Sequence, residues 1–247
     1  MERDYEDFGS KRESTQRTRA FLFMVAGGIS ALRCGGSQLE VYEAGIGVIN
    51  APLLPRMGGS KTTRSTHPEF LNKMSRLFSL IAQRDFKIVL PFACFTKGEL
   101  VSSLKNHRDL EDLSRESFSC VCYPRRNTKK KICGKCFACV FRRIAMYSAG
   151  IKENLAEYEF DILCKQDWNR MKPVERRPLC CFLEQIYELG ESTNHNRLPE
   201  WIEEHIATTN ATMGRSMESI IGLYRRYSDE CHSFIEEAVQ RQCPWAA

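Results

Sequence analysis

The sequence predicts an α/β protein with a parallel sheet, a metal-binding cysteine cluster and a helical C-terminal extension. Three observations support this class. Helical and extended patterns alternate through the first 104 residues, five of the twelve cysteines lie between residues 117 and 143, and residues 152–247 form helical patterns without a strand pattern. Strands that alternate with helices favour a parallel sheet, because each helix returns the chain to the same edge.

The N-terminal half contains three helical patterns and two short extended ones. In the first helix, Gly27 and Gly28 would each cost about 1 kcal/mol relative to Ala, so we expect close packing against a neighbour there. Thr96 and Glu99 have the spacing of a capping box. The predicted helices are Ala20–Leu32, Pro68–Gln83 and Thr96–Leu104, and the predicted strands are Leu39–Glu43 and Phe86–Leu90.

The stretch from Ala44 to Thr66 is predicted to be a long loop, because it contains four glycines, two prolines and two Ser/Thr clusters. Its Gly58–Thr63 piece does not form a Walker A loop, since that motif needs Gly immediately before Lys and Ser60 stands there. His67 precedes a proline, and a capping or surface role is the simpler interpretation of this lone histidine.

Composition and length allow one large domain or two small ones. We expect residues 1–16 to be disordered or a linker, residues 17–150 to form the α/β domain, and residues 151–247 to form the helical extension. The start of the chain has no apolar signal-peptide core, and the longest apolar run is too short to span a bilayer. Twelve cysteines without a secretion signal indicate reduced thiols and metal ligands, so a cytoplasmic location is expected.

The cysteine cluster, residues 117–143, contains the spacing that a metal site needs. Cys133, Cys136 and Cys139 follow a Cys-x-x-Cys-x-x-Cys pattern, and Gly134 offers the positive φ that such a turn often requires. The fourth sulfur must come from Cys120 or Cys122, which would complete a site of four thiolates. Such a site has no open position, so the metal would be structural zinc.

Two other interpretations of the cysteines were weighed. A bacterial ferredoxin-type cluster requires another cysteine four residues after Cys139, where this chain has Arg143. Ordinary reduced thiols would not explain three cysteines at strict spacing around a glycine. Structural zinc is therefore favoured over both.

The same stretch is strongly basic. From Cys120 to Arg143 there are eight Lys or Arg residues and no Asp or Glu. Part of this charge compensates four thiolates on a divalent ion, and a solvated basic loop is the simpler interpretation. Contact with phosphate or nucleic acid is the alternative, because clustered positive charge attracts polyanions.

Ser-Phe-Ser-Cys at 117–120, then Cys-Gly-Lys-Cys-Phe-Ala-Cys at 133–139 and Phe-Arg-Arg at 141–143 resemble the zinc knuckle of the QueC family, the 7-cyano-7-deazaguanine synthases. These are N-type ATP pyrophosphatases with an adenine-nucleotide α-hydrolase-like, Rossmann-like fold. The similarity covers about residues 14–150 and includes segments at 17–23, 42–50, 64–70 and 91–100. The sequence pattern of these segments is most similar to that of QatC-like proteins, which are QueC relatives found in bacterial anti-phage defence clusters.

The resemblance implies roles for particular residues. It selects Cys120 as the fourth zinc ligand, beside Cys133, Cys136 and Cys139. Arg17, Arg19 and Lys97 would contact the phosphates of ATP. Glu43, Asn50 and Arg64 would line the acceptor pocket. The implied reaction activates a carboxylate with ATP and Mg²⁺ and releases pyrophosphate; ammonia or an amine then displaces AMP and forms the carbon–nitrogen bond of a ligase reaction.

One departure bears on the activity. Family members begin with a strand that ends in a Ser-Gly-Gly-x-Asp-Ser loop, whose amides hold pyrophosphate, and this sequence has none. The resemblance also begins in the middle of the fold, so an N-terminal truncation is the simplest expectation. The alternative is a non-catalytic, zinc-stabilised binding module in a defence or nucleic-acid-modifying complex. A zinc-ribbon transcription factor is a weaker third interpretation, because one knuckle in an α/β frame is no paired DNA-reading helix.

Overall fold

The computed structural model describes residues 17–49, 51, 66–122, 132–206 and 215–245. This part of the chain is mostly helical and contains a small parallel sheet. The elements in chain order are α1 (Arg17–Arg33), β1 (Gln38–Glu40), α2 (Gly45–Ile49), α3 (Pro68–Ala82), β2 (Lys87–Val89), α4 (Lys97–Ser103), α5 (Leu110–Glu116), α6 (Phe137–Ser148), a 3₁₀ turn (Leu155–Glu157), α7 (Lys165–Arg170), α8 (Pro173–Asn194), α9 (Leu198–Ile206) and α10 (Met217–Gln240).

The sheet consists of β1 and β2, which pair in parallel with Leu39 opposite Ile88. Backbone hydrogen bonds extend the ladder past both ends, from Lys87 N to Ser37 O (3.0 Å) and from Val41 N to Val89 O (2.9 Å). The α3 helix connects the two strands, as a parallel pair requires. The predicted α/β class with a parallel sheet is confirmed for the described residues.

Helices α1 and α3 cover the sheet through one apolar core that includes Met24, Leu71, Phe78 and Ile88. The backbone of α1 approaches α3 closely at Gly28, where an added Cβ would lie 2.3 Å from the Phe78 ring. A side chain at Gly28 would collide with this ring, and an added Cβ at Gly27 would lie 3.2 Å from the Leu39 side chain, so the close packing expected at the two glycines of α1 is confirmed.

Two of the three helices predicted in this half, α3 and α4, begin with the expected caps. His67 is buried at the N-cap of α3, and its Nδ1 accepts a hydrogen bond from Glu69 N (3.3 Å). Thr96 and Glu99 form the predicted capping box of α4: Thr96 N donates to Glu99 Oε2 (2.8 Å), and Glu99 N donates to Thr96 Oγ1 (3.0 Å).

The long loop predicted for residues 44–66 is wrong at its start, where α2 forms. Gly45 fits there because an added Cβ would lie 2.3 Å from Ala93 O, and Val48 and Ile49 are buried. Tertiary packing therefore outweighs the poor helix propensity of its glycines. Residues 50 and 52–65, including the glycine-rich piece, lie outside the described residues. The sequence also gave no indication of α5.

The larger core joins the two halves of the chain. Val140 and Ile144 of α6 pack with Phe182 of α8 and with Tyr224 and Phe234 of α10. Ile49 of α2 belongs to the same apolar cluster. The helices beyond residue 150 therefore bury their apolar faces directly against the N-terminal part, and this packing places α10 beside the sheet.

Helix α1 leaves a large apolar surface uncovered. Phe21 and Ile29, which belong to its helical apolar pattern, are about half exposed, as are Leu22 and Phe23. Within the described ranges, no helix is both long enough and apolar enough to cross a membrane.

Candidate metal centre and sheet-edge site

Four buried cysteines meet at the start of α6. Cys136 is the N-cap of that helix, Cys139 lies in its first turn, and Cys120 and Cys133 come from the preceding segments. All four Sγ atoms lie within 4.8 Å of one another. The Sγ atoms of Cys133 and Cys139 are 3.7 Å apart, and those of Cys136 and Cys139 are 3.3 Å apart. Tetrahedral zinc with sulfurs at about 2.3 Å would separate them by about 3.8 Å, so the donor set fits one such ion.

The turn between the second and third of these cysteines depends on Gly134. Its φ is +77°, as the sequence predicted, and an added Cβ would lie 1.8 Å from Phe160 O. Cys133 N also donates a hydrogen bond to the Sγ of Cys120 (3.4 Å). The turn therefore directs sulfurs and a backbone N–H into the same small volume.

We expect Gly134→Ala to lose bound metal and to melt at a lower temperature. The left-handed backbone alone costs an L-residue about 1–2 kcal/mol, and the methyl group would also collide with the Phe160 carbonyl. Gly35→Ala is the matched control, because Gly35 has the same φ of +77° and nothing within 4 Å of an added Cβ. Elemental analysis and thermal melting compare the two variants. Equal metal content and equal melting temperatures would contradict this prediction.

The thiols of the cluster differ in acidity because they bind one another. Hydrogen bonds from the Cys133 and Cys139 side chains lower the pKa of Cys136 to about 3. Hydrogen bonds with the Cys133 and Cys136 side chains, together with burial, raise the pKa of Cys139 well above its usual value. A cation would have to compensate the repulsion of several thiolates in this volume. Cys122 is exposed and lies outside the four-cysteine group.

The segment after α6 forms backbone hydrogen bonds with the residue that precedes the cysteine turn. Ile132 forms a parallel bridge with Tyr158, in which Ile132 N donates to Glu157 O (3.1 Å) and Glu159 N donates to Ile132 O (2.9 Å). Lys135 forms an ion pair with Glu175 at the start of α8 and lies over a neighbouring aromatic ring. The metal centre is thus attached to the C-terminal helices.

Two of the eight basic residues in the cysteine stretch are buried inside the protein. Arg142 donates to Glu153 Oε1 (2.8 Å) and to the backbone oxygens of Ser114 (2.6 Å) and Ser117 (3.0 Å). Arg143 contacts Glu153 Oε2 (3.7 Å) and donates to Asp161 Oδ1 (3.1 Å). These arginines hold the chain segments around α6 together. The other basic side chains of residues 123–131 lie outside the described residues.

A second group of polar residues lies at the carboxyl edge of the sheet. Glu43 follows β1, and Lys97 begins α4 after β2; Lys97 Nζ lies 3.9 Å from Glu43 Oε1. Gly45 N donates to Phe95 O (2.9 Å), which joins the two loops. Ligands of open α/β sheets bind at this edge. The structure therefore brings together one predicted phosphate contact and one predicted acceptor contact.

Helix α10 forms a wall of this sheet-edge site. Arg226 donates to Glu99 Oε1 (2.6 Å) and to Cys94 O (2.8 Å). Glu230 accepts a hydrogen bond from the Thr96 hydroxyl, and burial raises the pKa of its carboxyl group. Sequence analysis did not single out these two residues. Their four-residue spacing places them on one helix face. No pattern in the neighbouring sequence indicates that this face contacts α4.

The other predicted site residues are not part of this pair. Arg19 is exposed in the first turn of α1. Arg17 starts the same helix, and only its backbone is described. Asn50 and Arg64 lie outside the described residues. Whether these four side chains reach the sheet-edge site stays a prediction.

The fold and the two sites define a class: an α/β protein with four clustered cysteines that could hold a metal ion and a polar site at the carboxyl edge of its sheet. Residues 61–150 match the model of a family described as queuosine biosynthesis protein QueC. The matched stretch contains α3, β2, α4 and all four clustered cysteines, and the QueC resemblance is confirmed over it. No curated protein matches the chain. No solved structure matches it either.

Proposed function

We propose that this protein is a QueC-like, ATP-dependent synthase-type protein that acts on a 7-deazapurine carboxylate and forms an amide or nitrile. The observation that supports it best is the family match over residues 61–150, which spans Lys97 and the four cysteines. In this proposal it works in the cytoplasm, in nucleobase modification or anti-phage defence. Structural zinc would be held by Cys120, Cys133, Cys136 and Cys139.

Each site has a different part in this proposal. The zinc would fix the segments around α6 and take no part in the reaction, because four protein sulfurs leave it no open position. At the sheet edge, the Lys97 ammonium group is half exposed and would stabilise phosphate charge as pyrophosphate leaves. The Glu43 carboxylate lies 3.9 Å from that ammonium group. Arg17 and Arg19 would add positive charge, and Asn50 and Arg64 would contact the acceptor.

A second candidate is a zinc-stabilised binding module without catalysis. Five Lys or Arg residues between positions 125 and 131 favour it, because such a basic run attracts polyanions. In that case the cysteine centre would present the basic run to a nucleic acid or to an acidic partner. Binding of single-stranded and duplex DNA, with its dependence on salt, would test this candidate.

We expect the 247-residue chain alone to release no pyrophosphate from ATP, because the sequence has no Ser-Gly-Gly-x-Asp-Ser loop to hold it. Supplying that loop on a QueC N-terminal segment should produce turnover with ATP, Mg²⁺ and a carboxylated 7-deazapurine. Arg19→Ala and Lys97→Ala should each reduce the rate by about tenfold or more, since charge-assisted contacts to phosphate are the strong ones. Pyrophosphate release measures the effect.

Lys73→Ala is the matched control, because Lys73 is a highly exposed lysine on α3 that pairs only with its helix neighbour Glu69 among the contacts described. It should leave the rate unchanged. Turnover by the unsupplemented chain would show that its phosphate site lies elsewhere. A supplemented mixture that neither binds nor consumes ATP would overturn the synthase proposal.

A further inference from the structure

Three aromatic side chains lie together at the carboxyl edge of the sheet. Tyr42 follows β1, and Phe92 and Phe95 follow β2. The ring centroids of Tyr42 and Phe92 are 5.5 Å apart, and those of Phe92 and Phe95 are 6.2 Å apart. Tyr42, Phe92 and Phe95 are called the aromatic cluster below.

Two of the three rings of the aromatic cluster are open to solvent. Tyr42 is 65% exposed and Phe95 is 46% exposed, Phe92 between them is partly buried, and Leu90 and Ala93 of the segment after β2 are buried. An exposed ring forgoes the stabilisation that its burial would supply, and contiguous exposed apolar groups on soluble proteins mark binding surfaces. The segment after β2 thus buries Leu90 and Ala93 and leaves Phe95 exposed, and the segment after β1 leaves Tyr42 exposed.

The backbone that carries these rings is held on two sides. Gly45 N donates to Phe95 O (2.9 Å), and Arg226 on α10 donates to Cys94 O (2.8 Å). The Tyr42 hydroxyl donates to Glu40. The rings are therefore positioned before any ligand binds, which lowers the entropic cost of binding.

Charged residues stand next to the aromatic cluster in the chain. Glu43 is the next residue after Tyr42, and Lys97 lies two residues after Phe95; their side chains form the 3.9 Å ion pair of the sheet-edge site. A ligand that extends from the rings to this ion pair would meet one carboxylate, which accepts from ring N–H or amino groups, and one ammonium group, which binds an anionic substituent.

We propose that the aromatic cluster is a stacking subsite for a planar heteroaromatic ring of purine or 7-deazapurine size. Stacking suits this ligand because every such ring has a π face, and the neighbouring charges suit its polar edge. The inference rests on the proposed function and adds to it the part of the site that holds the ring. The ring could be the adenine of ATP or the 7-deazapurine itself, and the experiment separates these sources.

The test measures binding to the full chain by calorimetry, with three probes: AMP, 7-deazaguanine and ribose 5-phosphate, which has no aromatic ring. At least one ring-bearing probe should bind, and ribose 5-phosphate should bind more weakly than that probe. Tyr42→Leu and Phe95→Leu should each raise its Kd by about tenfold, the typical size of one base–aromatic stack. Tyr42→Phe, which keeps the ring, should bind like the unmodified protein.

Tyr187→Leu is the matched control, because Tyr187 is 70% exposed on α8. It should not change the Kd. A tenfold effect seen with AMP alone assigns the subsite to adenine, and one seen with 7-deazaguanine assigns it to the acceptor. The proposal is overturned if neither ring-bearing probe binds, or if Phe95→Leu, folded by circular dichroism, binds as tightly as the unmodified protein. A change of oligomeric state in the leucine variants without ring binding would also overturn it, in favour of a protein contact.

The two proposals fail in different ways. Ring binding that depends on the aromatic cluster, without pyrophosphate release in the supplemented system, would reject the synthase and keep the stacking subsite. Turnover with a KM that Tyr42→Leu and Phe95→Leu leave unchanged would do the opposite.

Discussion

Removal of the bound metal should lower the melting temperature by about 10 °C or more. Structural zinc sites contribute about 10 kcal/mol of binding free energy to folding, which is comparable to the whole stability of a typical domain, about 5–15 kcal/mol. Here the four sulfurs join Cys120 to three cysteines that lie more than ten positions further along the chain, at the start of α6. Thermal melting with and without a strong chelator, with zinc loss verified by elemental analysis, measures the effect.

Single cysteine substitutions make this test residue-specific. Cys120→Ser should lose the metal, whereas Cys122→Ser should keep one equivalent, because Cys122 is exposed and outside the four-cysteine group. The reverse result would exchange the two assignments. An unchanged melting curve after verified loss of zinc would show that the metal is not structural, and iron with labile sulfide would show a cluster instead.

Glu153→Gln should cost about 3–5 kcal/mol of unfolding free energy, the usual result of removing one partner from a buried ion pair. The Glu153 carboxylate lies between Arg142 and Arg143, and all three side chains are less than 10% exposed. The substitution would remove the negative charge beside Arg142. The buried guanidinium group would then bind only uncharged oxygen atoms. Urea unfolding of the metal-loaded protein, analysed with a common m value, measures the loss.

Asp109→Asn is the comparison for this variant. Asp109 pairs with Arg108 at 3.4 Å, but the side chains are 53% and 91% exposed, and exposed pairs contribute only about 0–1 kcal/mol. A loss below about 1 kcal/mol for Glu153→Gln would mean that water or local rearrangement compensates the two arginines. The arginine network would then be a minor contributor to the fold.

Local features of the fold could be predicted from the sequence because they depend on neighbouring residues. The capping box of Thr96 and Glu99 and the positive φ of Gly134 are both confirmed. Each follows from a steric or hydrogen-bonding rule that operates within one turn of the chain. The spacing of Cys133 and its two successors belongs to the same kind of pattern.

Features that depend on distant residues could not be predicted. Arg142 and Arg143 belong to a run of positive charge that favours solvent in the linear sequence, and only the fold supplies the carboxylates of Glu153 and Asp161. The contact of Arg226 with α4 likewise needs the whole path of the C-terminal helices. The α2 helix was missed for the same reason, since its Val48 and Ile49 are buried by apolar residues that are distant in the sequence.

The large apolar core contains residues from both sides of position 150. The end of the family match is therefore not the boundary of the packed unit. Similarity to the family ends at that position, yet Val140 and Ile144 of the matched part are buried by side chains that come after it. A fragment cut at residue 150 would expose the apolar face of α6, whose N-cap and first turn each contain one of the clustered cysteines. The stretch that matches the family is therefore shorter than the unit that packs together, and residues beyond position 150 cover the apolar face of the helix at whose start the clustered cysteines lie.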